Sequence, residues 1–142
     1  MKVFVDTAPF IYLAENHPNY AEKTKKYIAA AFANQDTLFT SVISLMEFSI
    51  KPEKEGNPAS IIKLKRLWKR LNFEILIIDE EIAEKAAKLR AKYTFLKGLD
   101  ALQIASALQH GCNQFLTNDI PLKKIIEIQV VLIADLQDAF NE

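Results

Sequence analysis

Leu99-Asp100-Ala101-Leu102-Gln103-Ile104-Ala105-Ser106-Ala107-Leu108-Gln109-His110, followed by Gly111-Cys112-Asn113 and then Gln114-Phe115-Leu116-Thr117-Asn118-Asp119, is the stretch from which the fold is read. Residues 99–110 are apolar almost all round, the pattern of a helix packed on more than one side. Gly111 stands in the C-terminal position where helices favour a residue of left-handed conformation. Phe115-Leu116-Thr117 is a short apolar run without in–out alternation, as in a strand covered on both faces. One helix, one stop and one buried strand make a single α/β step.

The same step recurs outward from this stretch. Residues 2–5 read as a strand, and Thr7-Ala8-Pro9 opens a helix with threonine as its cap and proline in the first turn. After His17-Pro18-Asn19, residues 19–34 carry Tyr20, Thr24, Tyr27, Ile28, Ala31 and Phe32 at helical spacing. A strand over 37–40, a short helix over 41–50 and a turn-rich linker over 52–58 follow. Asn57-Pro58 starts a helix reaching about Leu71, residues 73–78 form a strand, and Asp79 caps a charged helix to about Tyr93. Beyond the central stretch, 120–126 is a short helix and 129–133 a fifth strand. Parallel neighbours need helical crossovers, so the alternation implies an α/β sandwich with a mostly parallel five-stranded sheet.

The chain's 142 residues suit one domain, expected over 1–142. Half the residues are hydrophobic and a quarter charged, ordinary for a globular protein. The single cysteine, Cys112, excludes an internal disulfide and reads as a buried thiol. The apolar amino-terminal run meets Asp6 too soon for a signal peptide or membrane span, so cytoplasmic residence and no membrane partner are expected. Net charge is zero, but residues 51–70 carry seven bases (Lys51, Lys54, Lys63, Lys65, Arg66, Lys69 and Arg70) against two acids. From residue 71 onward the acids prevail, eleven to seven. Such a segment suits a polyanion, although taken alone a solvated helix face is the plainer account of it.

Four acids stand out against this frame. Asp6 ends the first strand and Asp119 follows the fourth by two residues, at the carboxyl ends where ligand crevices form in open parallel sheets. Asp100 lies in the first turn of the apolar helix, and Glu47 sits among hydrophobic residues in Ser41-Val42-Ile43-Ser44-Leu45-Met46-Glu47-Phe48. Each also has a plain structural reading: Asp6 as a cap, Ser44 and Glu47 as a capping box, Asp100 as a complement to the helix dipole, Asp119 as part of a turn. Together they resist that explanation, because no histidine, lysine or arginine lies close in sequence to Asp6, Glu47 or Asp119 to neutralise it. Lys97, three residues before Asp100, is the one exception. Converging carboxylates repel one another and suit a hard cation such as Mg²⁺ or Mn²⁺, which activates water and steadies a transferring phosphoryl group. His17 and His110 have no metal-ligand spacing and read as bystanders.

The strand ending in Asp6-Thr7, the segment Ser44-Leu45-Met46-Glu47, Asp100-Ala101-Leu102-Gln103-Ile104-Ala105-Ser106-Ala107 and Phe115-Leu116-Thr117-Asn118-Asp119 resemble the successive motifs of PIN domains, in particular the stand-alone VapC-type toxins. The resemblance spans essentially the whole chain. It implies a three-layer α/β/α fold and Mg²⁺- or Mn²⁺-dependent endoribonuclease activity, with Asp6, Glu47, Asp100 and Asp119 as metal site and Thr7, Thr117 and Asn118 in support. It also implies an RNA substrate, a small VapB-like antitoxin over the active groove, and a homodimer. Many relatives carry histidine where this chain has Gln103, a position outside the acidic quartet.

The basic segment 51–70 is the expected track for RNA phosphates. Ile61, Leu64, Trp68 and Leu71 share one helix face that either packs on the core or meets a dimer or antitoxin partner; stacking of Trp68 on a base is the remaining reading. Two alternatives to a toxin keep the fold: a PIN-like module that binds RNA or protein without cutting, and a housekeeping RNA-processing nuclease. A phosphotransfer enzyme is disfavoured, since Asp6-Thr7-Ala8 lacks a D-x-D pair and no glycine-rich phosphate loop occurs.

Overall fold

The computed structural model describes residues 1–137; residues 138–142, which the single-domain expectation includes, lie outside it. The elements alternate as expected: β1 (Lys2–Val5), α1 (Thr7–Ala14), α2 (Ala21–Ala33), β2 (Thr37–Ser41), α3 (Val42–Lys54), α4 (Ala59–Arg70), β3 (Glu74–Leu76), α5 (Glu80–Lys92), α6 (Gly98–Gln109), β4 (Gln114–Thr117) and β5 (Gln129–Leu132), with a short 3-10 turn over Ile120–Lys124. The five strands line up in the order β3-β2-β1-β4-β5 and every pairing is parallel.

Side-chain alternation along these strands produces three layers. Phe4, Phe39, Phe115 and Val130 face one side, where they pack with Ile82, Ala86 and Leu89 of α5 and Ala101, Ile104 and Ala105 of α6. Val3, Val5, Leu38 and Leu116 face the other, against Phe10 of α1, Ile28 of α2, Phe48 of α3, and Leu64 and Trp68 of α4. Val3, Phe4 and Val5 are wholly buried, which explains why the strand shows no polar face. Phe4 and Phe115 stack across β1 and β4 with ring centroids 5.2 Å apart.

Three local expectations are corrected. Of the two caps the sequence offers α1, Asp6 rather than Thr7 is used, accepting a hydrogen bond from the Thr7 backbone N–H at 2.9 Å. Helix α3 runs on through Pro52 to Lys54, so the linker shrinks to a turn at Glu55–Pro58. Proline there forfeits only its own N–H, close to the helix end, and its carbonyl still accepts from Asn57 N at 3.0 Å. Ser44 and Glu47 do not form a capping box: Ser41 caps α3, accepting from Ile43 N at 3.1 Å, which leaves Ser44 inside the helix.

The stripe on α4 packs into the core. Leu64 and Trp68 are buried, Ile61 and Leu71 pack against the same cluster, and Trp68 meets Phe10 edge-on at 5.4 Å. Among the described residues, no helix is long and apolar enough to cross a membrane.

Candidate functional site

Chain order leaves the sheet centre in one direction, β1 to β2 to β3, and returns on the other side with β4. The strand order therefore turns between β1 and β4, and a crevice opens at their carboxyl ends. Asp6 follows β1 there, tied by its own N–H to Leu116 O at 2.9 Å. Thr117 ends β4 and Asp119 follows it.

Asp6 is buried, and every oxygen of its carboxylate is engaged. Oδ1 accepts from Thr7 N at 2.9 Å and from Gln103 Nε2 at 3.4 Å; Oδ2 accepts from Thr117 Oγ1 at 2.8 Å. Burial pushes the Asp6 carboxyl up to about 6, the bonds from Thr117 and Thr7 oppose the rise, and the charges of Asp100 and Glu47 add to it. Glu47, half-buried one helical turn into α3, accepts from Thr7 Oγ1 at 2.7 Å. Asp100 is half-buried in the first turn of α6, its carboxyl raised by burial, then by Asp119 and Glu47, with Lys97 pulling the other way. The charges of Asp100 and Glu47 are thus felt at Asp6, and those of Asp119 and Glu47 at Asp100.

Among the described residues, the Asp100 and Asp119 carboxylates take no hydrogen bond, and none of the four acids forms a salt bridge. Nor do three of them already converge as a ready ligand group. The donor set nonetheless suits a hard divalent cation. Mg²⁺ keeps several waters and needs only one or two direct carboxylates, with the others reaching it through water or by a change of rotamer. Two unpartnered, half-buried carboxylates beside a buried third are an electrostatic cost that such an ion removes.

The supporting residues separate. Thr7 and Thr117 each donate to an acid. Asn118 turns away: its Nδ2 donates to Tyr12 OH at 3.2 Å and its Oδ1 accepts from Ala134 N at 3.0 Å, so it anchors the loop rather than an acid. Gln103, set outside the quartet in the sequence, lies at the centre of the network. Its Nε2 reaches Asp6 and also Ser44 Oγ at 2.8 Å, while its Oε1 accepts from Ser41 Oγ. Ser41, Ser44 and Thr40 are wholly buried hydroxyls, and of the three the sequence offered only Ser44, as half of a capping box. A buried polar side chain on an otherwise apolar face was the only other sequence signal for them.

The basic residues are scattered. Lys51 lies beside Glu47 on the wall of a cavity of about 220 Å³ between α1, α3 and α4, and pairs with Glu15 at 3.6 Å. Lys63 lines an adjoining cavity against Phe10 and Leu67. Lys54, Lys65, Arg66, Lys69 and Arg70 are exposed, the last four along the outer face of α4. His17 Nδ1 accepts from Asn19 N and Tyr20 N at 3.1 and 3.2 Å, a purely local role.

An α/β/α protein with an acidic crevice at the turning point of a parallel sheet is the class that this fold and site define. The chain belongs to the PIN domain family, whose model matches residues 3–127. No curated protein matches the sequence. Among solved structures, the fold is similar to VapBC2 of Rickettsia felis bound to a promoter DNA fragment (20% identity, 93% of this chain and 98% of that one, TM-score 0.76). It is also similar to a toxin–antitoxin complex from Klebsiella pneumoniae (25%, 92% and 97%, 0.67) and to Mycobacterium tuberculosis VapC20, a sarcin–ricin loop cleaving toxin (14%, 89% and 98%, 0.66).

Proposed function

We propose that this chain is a single PIN nuclease domain over residues 1–142, a Mg²⁺- or Mn²⁺-dependent endoribonuclease that acts in the cytoplasm as the toxin of a toxin–antitoxin pair. The observation that carries the reading is the pair of carboxylates without hydrogen bonds, Asp100 and Asp119, of which Asp119 acts on Asp100 and Asp100 on buried Asp6 at the β1–β4 strand ends. Asp6, Glu47, Asp100 and Asp119 hold the metal. When bound, the ion activates water and stabilises the phosphoryl charge that develops as the RNA chain is cut. Thr117 and Gln103 keep the Asp6 carboxylate in one orientation, and Thr7 does the same for Glu47. Lys51, next to Glu47, is the base best placed to meet an incoming phosphate; the exposed bases of α4 contribute a general attraction for RNA.

The toxin role and a VapB-like antitoxin are supported by the structural likeness to the R. felis and K. pneumoniae complexes, and the nuclease role by the likeness to VapC20; a homodimer is proposed on the family resemblance alone. The test is cleavage of a panel of RNAs by purified, partner-free protein with Mn²⁺, with Mg²⁺ and with chelator, beside Asp100→Asn. Metal-dependent cutting that disappears in Asp100→Asn is expected. Metal binding without any cutting would favour a non-cleaving binding module.

A further inference from the structure

Gln103 is 1% exposed, and both ends of its amide are engaged. Ser41 Oγ accepts from Ile43 N, so its own proton is available for Gln103 Oε1. The Asp6 carboxylate, which only accepts, fixes which way the amide faces: the NH₂ group to Asp6 Oδ1 and Ser44 Oγ, and the oxygen to the Ser41 hydroxyl. The reversed amide would set its oxygen against the carboxylate and lose the bond to Asp6. Ser44 continues the chain, lying 2.8 Å from Thr40 Oγ1 and 3.3 Å from Thr7 Oγ1, and Thr7 donates to Glu47. A single network thus runs from the cap of α3 through α6 to an acid after β1, and back to an acid of α3.

We infer that Gln103 is the positioning residue of the acidic site: it orients Asp6 directly and Glu47 through Ser44 and Thr7, and so sets the affinity for a divalent cation. The inference rests on the reading of the four acids as a metal site. A neutral donor suits the task. It satisfies an Asp6 lone pair without bringing a positive charge that would compete with the ion, as lysine or arginine would.

The test uses the full chain with Gln103→Met, which keeps length and bulk and removes the hydrogen bonds. Mn²⁺ affinity is measured by titration calorimetry without RNA, and kcat and KM are then measured on a cleavable RNA. Mn²⁺ binding weaker by about 10–100-fold is expected, the usual cost of losing a group that orients a ligand. Cleavage lost at low Mn²⁺ should return as Mn²⁺ is raised, whereas a smaller folded fraction would lower kcat equally at every Mn²⁺ concentration. Ser41→Ala removes the hydroxyl that anchors the amide oxygen and should weaken Mn²⁺ binding several-fold, adding nothing in the Gln103→Met background. A folded Gln103→Met protein that binds Mn²⁺ as tightly as the parent overturns the inference. Should that variant not fold, unchanged affinity in Ser41→Ala overturns it. A parent chain that binds no Mn²⁺ would sink the metal-site reading itself, whereas a binding parent with unaffected variants sinks the role of Gln103 alone.

Discussion

Thr117 Oγ1 donates to Asp6 Oδ2 at 2.8 Å, joining the ends of β1 and β4 at the one place where the strand order turns. The bond does two things. It holds the buried carboxylate in place, and it opposes the burial that pushes this carboxyl up to about 6.

The raised Asp6 carboxyl makes stability depend on pH in a stated direction. Between its ordinary value of 3.8 and about 6 the folded chain keeps a proton that the unfolded chain has lost. The stabilisation from that proton is complete below pH 3.8 and is lost as pH rises through about 6, a difference of about 3 kcal/mol at ~1.4 kcal/mol per pH unit. Asp6→Asn keeps an oxygen for Thr7 N and places its NH₂ toward Thr117. In thermal melts with chelator it should be more stable than the parent at pH 8 and lose that advantage at pH 4. A less stable variant at pH 8 would contradict the burial argument.

Divalent metal should stabilise the folded chain, because unfolded chain has no assembled site. At a Mn²⁺ concentration about 100 times Kd the gain is ~2.7 kcal/mol. Differential scanning fluorimetry should show a rise in Tm with Mn²⁺ that shrinks sharply in Asp100→Asn. An equal rise in both would place the ion elsewhere.

Thr7→Val removes the hydroxyl that donates to Glu47 at 2.7 Å while keeping the shape of a buried side chain. Stability should fall by about 1 kcal/mol, the net worth of one such bond. RNA cleavage should fall by about 10–100-fold, as for other groups that orient a ligand. Denaturant melts and rate measurements on the same preparation separate the two effects.

Gln35 closes α2 in the left-handed conformation, at φ 63°. Its N–H donates to Phe32 O and that of Asp36 to Ala31 O, the paired bonds of a helix stop that glycine adopts without steric cost. Gln35→Gly should therefore raise stability by about 0.5–1 kcal/mol without touching cleavage. Destabilisation in urea melts would show that chain entropy outweighs the relief.

Among the described residues, Trp68 Nε1 is buried without a hydrogen-bond partner. Such a group costs about 1–3 kcal/mol. Trp68→Phe removes it together with some packing against Phe10 and should change stability by no more than about 1 kcal/mol, while Trp68→Ala should cost about 3–5. A loss well above ~1 kcal/mol in Trp68→Phe would mean that lost packing outweighs relief of the unpaired N–H.

Much of the framework was legible in the chain itself, because it is written in local terms. The alternation of apolar strands and helices, the Asp79 cap and the Gly111 stop depend on neighbours a few residues away, and the structure has each of them. The placement of Asp6 and Asp119 at strand ends followed from the same local pattern. Boundaries were less legible where two local signals compete: Pro52 reads as a breaker, yet α3 gives up the one bond its N–H would have made and runs on to Lys54.

What only the tertiary structure decided is which side chains meet. Gln103 is 97 residues from Asp6 in the chain, on a helix so evenly apolar that periodicity gives no preferred face. Only the packing of α6 over the sheet selects the face that carries it inward. Likewise Asn118 and Thr117 are adjacent in sequence but, at the end of a strand, point to opposite sides: one to Tyr12 and the backbone of Ala134, the other to Asp6. By itself the sequence determined the elements and supplied the acids, since those rest on short-range propensity and composition. The hydrogen-bonded order beneath the acids came from the fold, because it depends on contacts between segments that share no local signal.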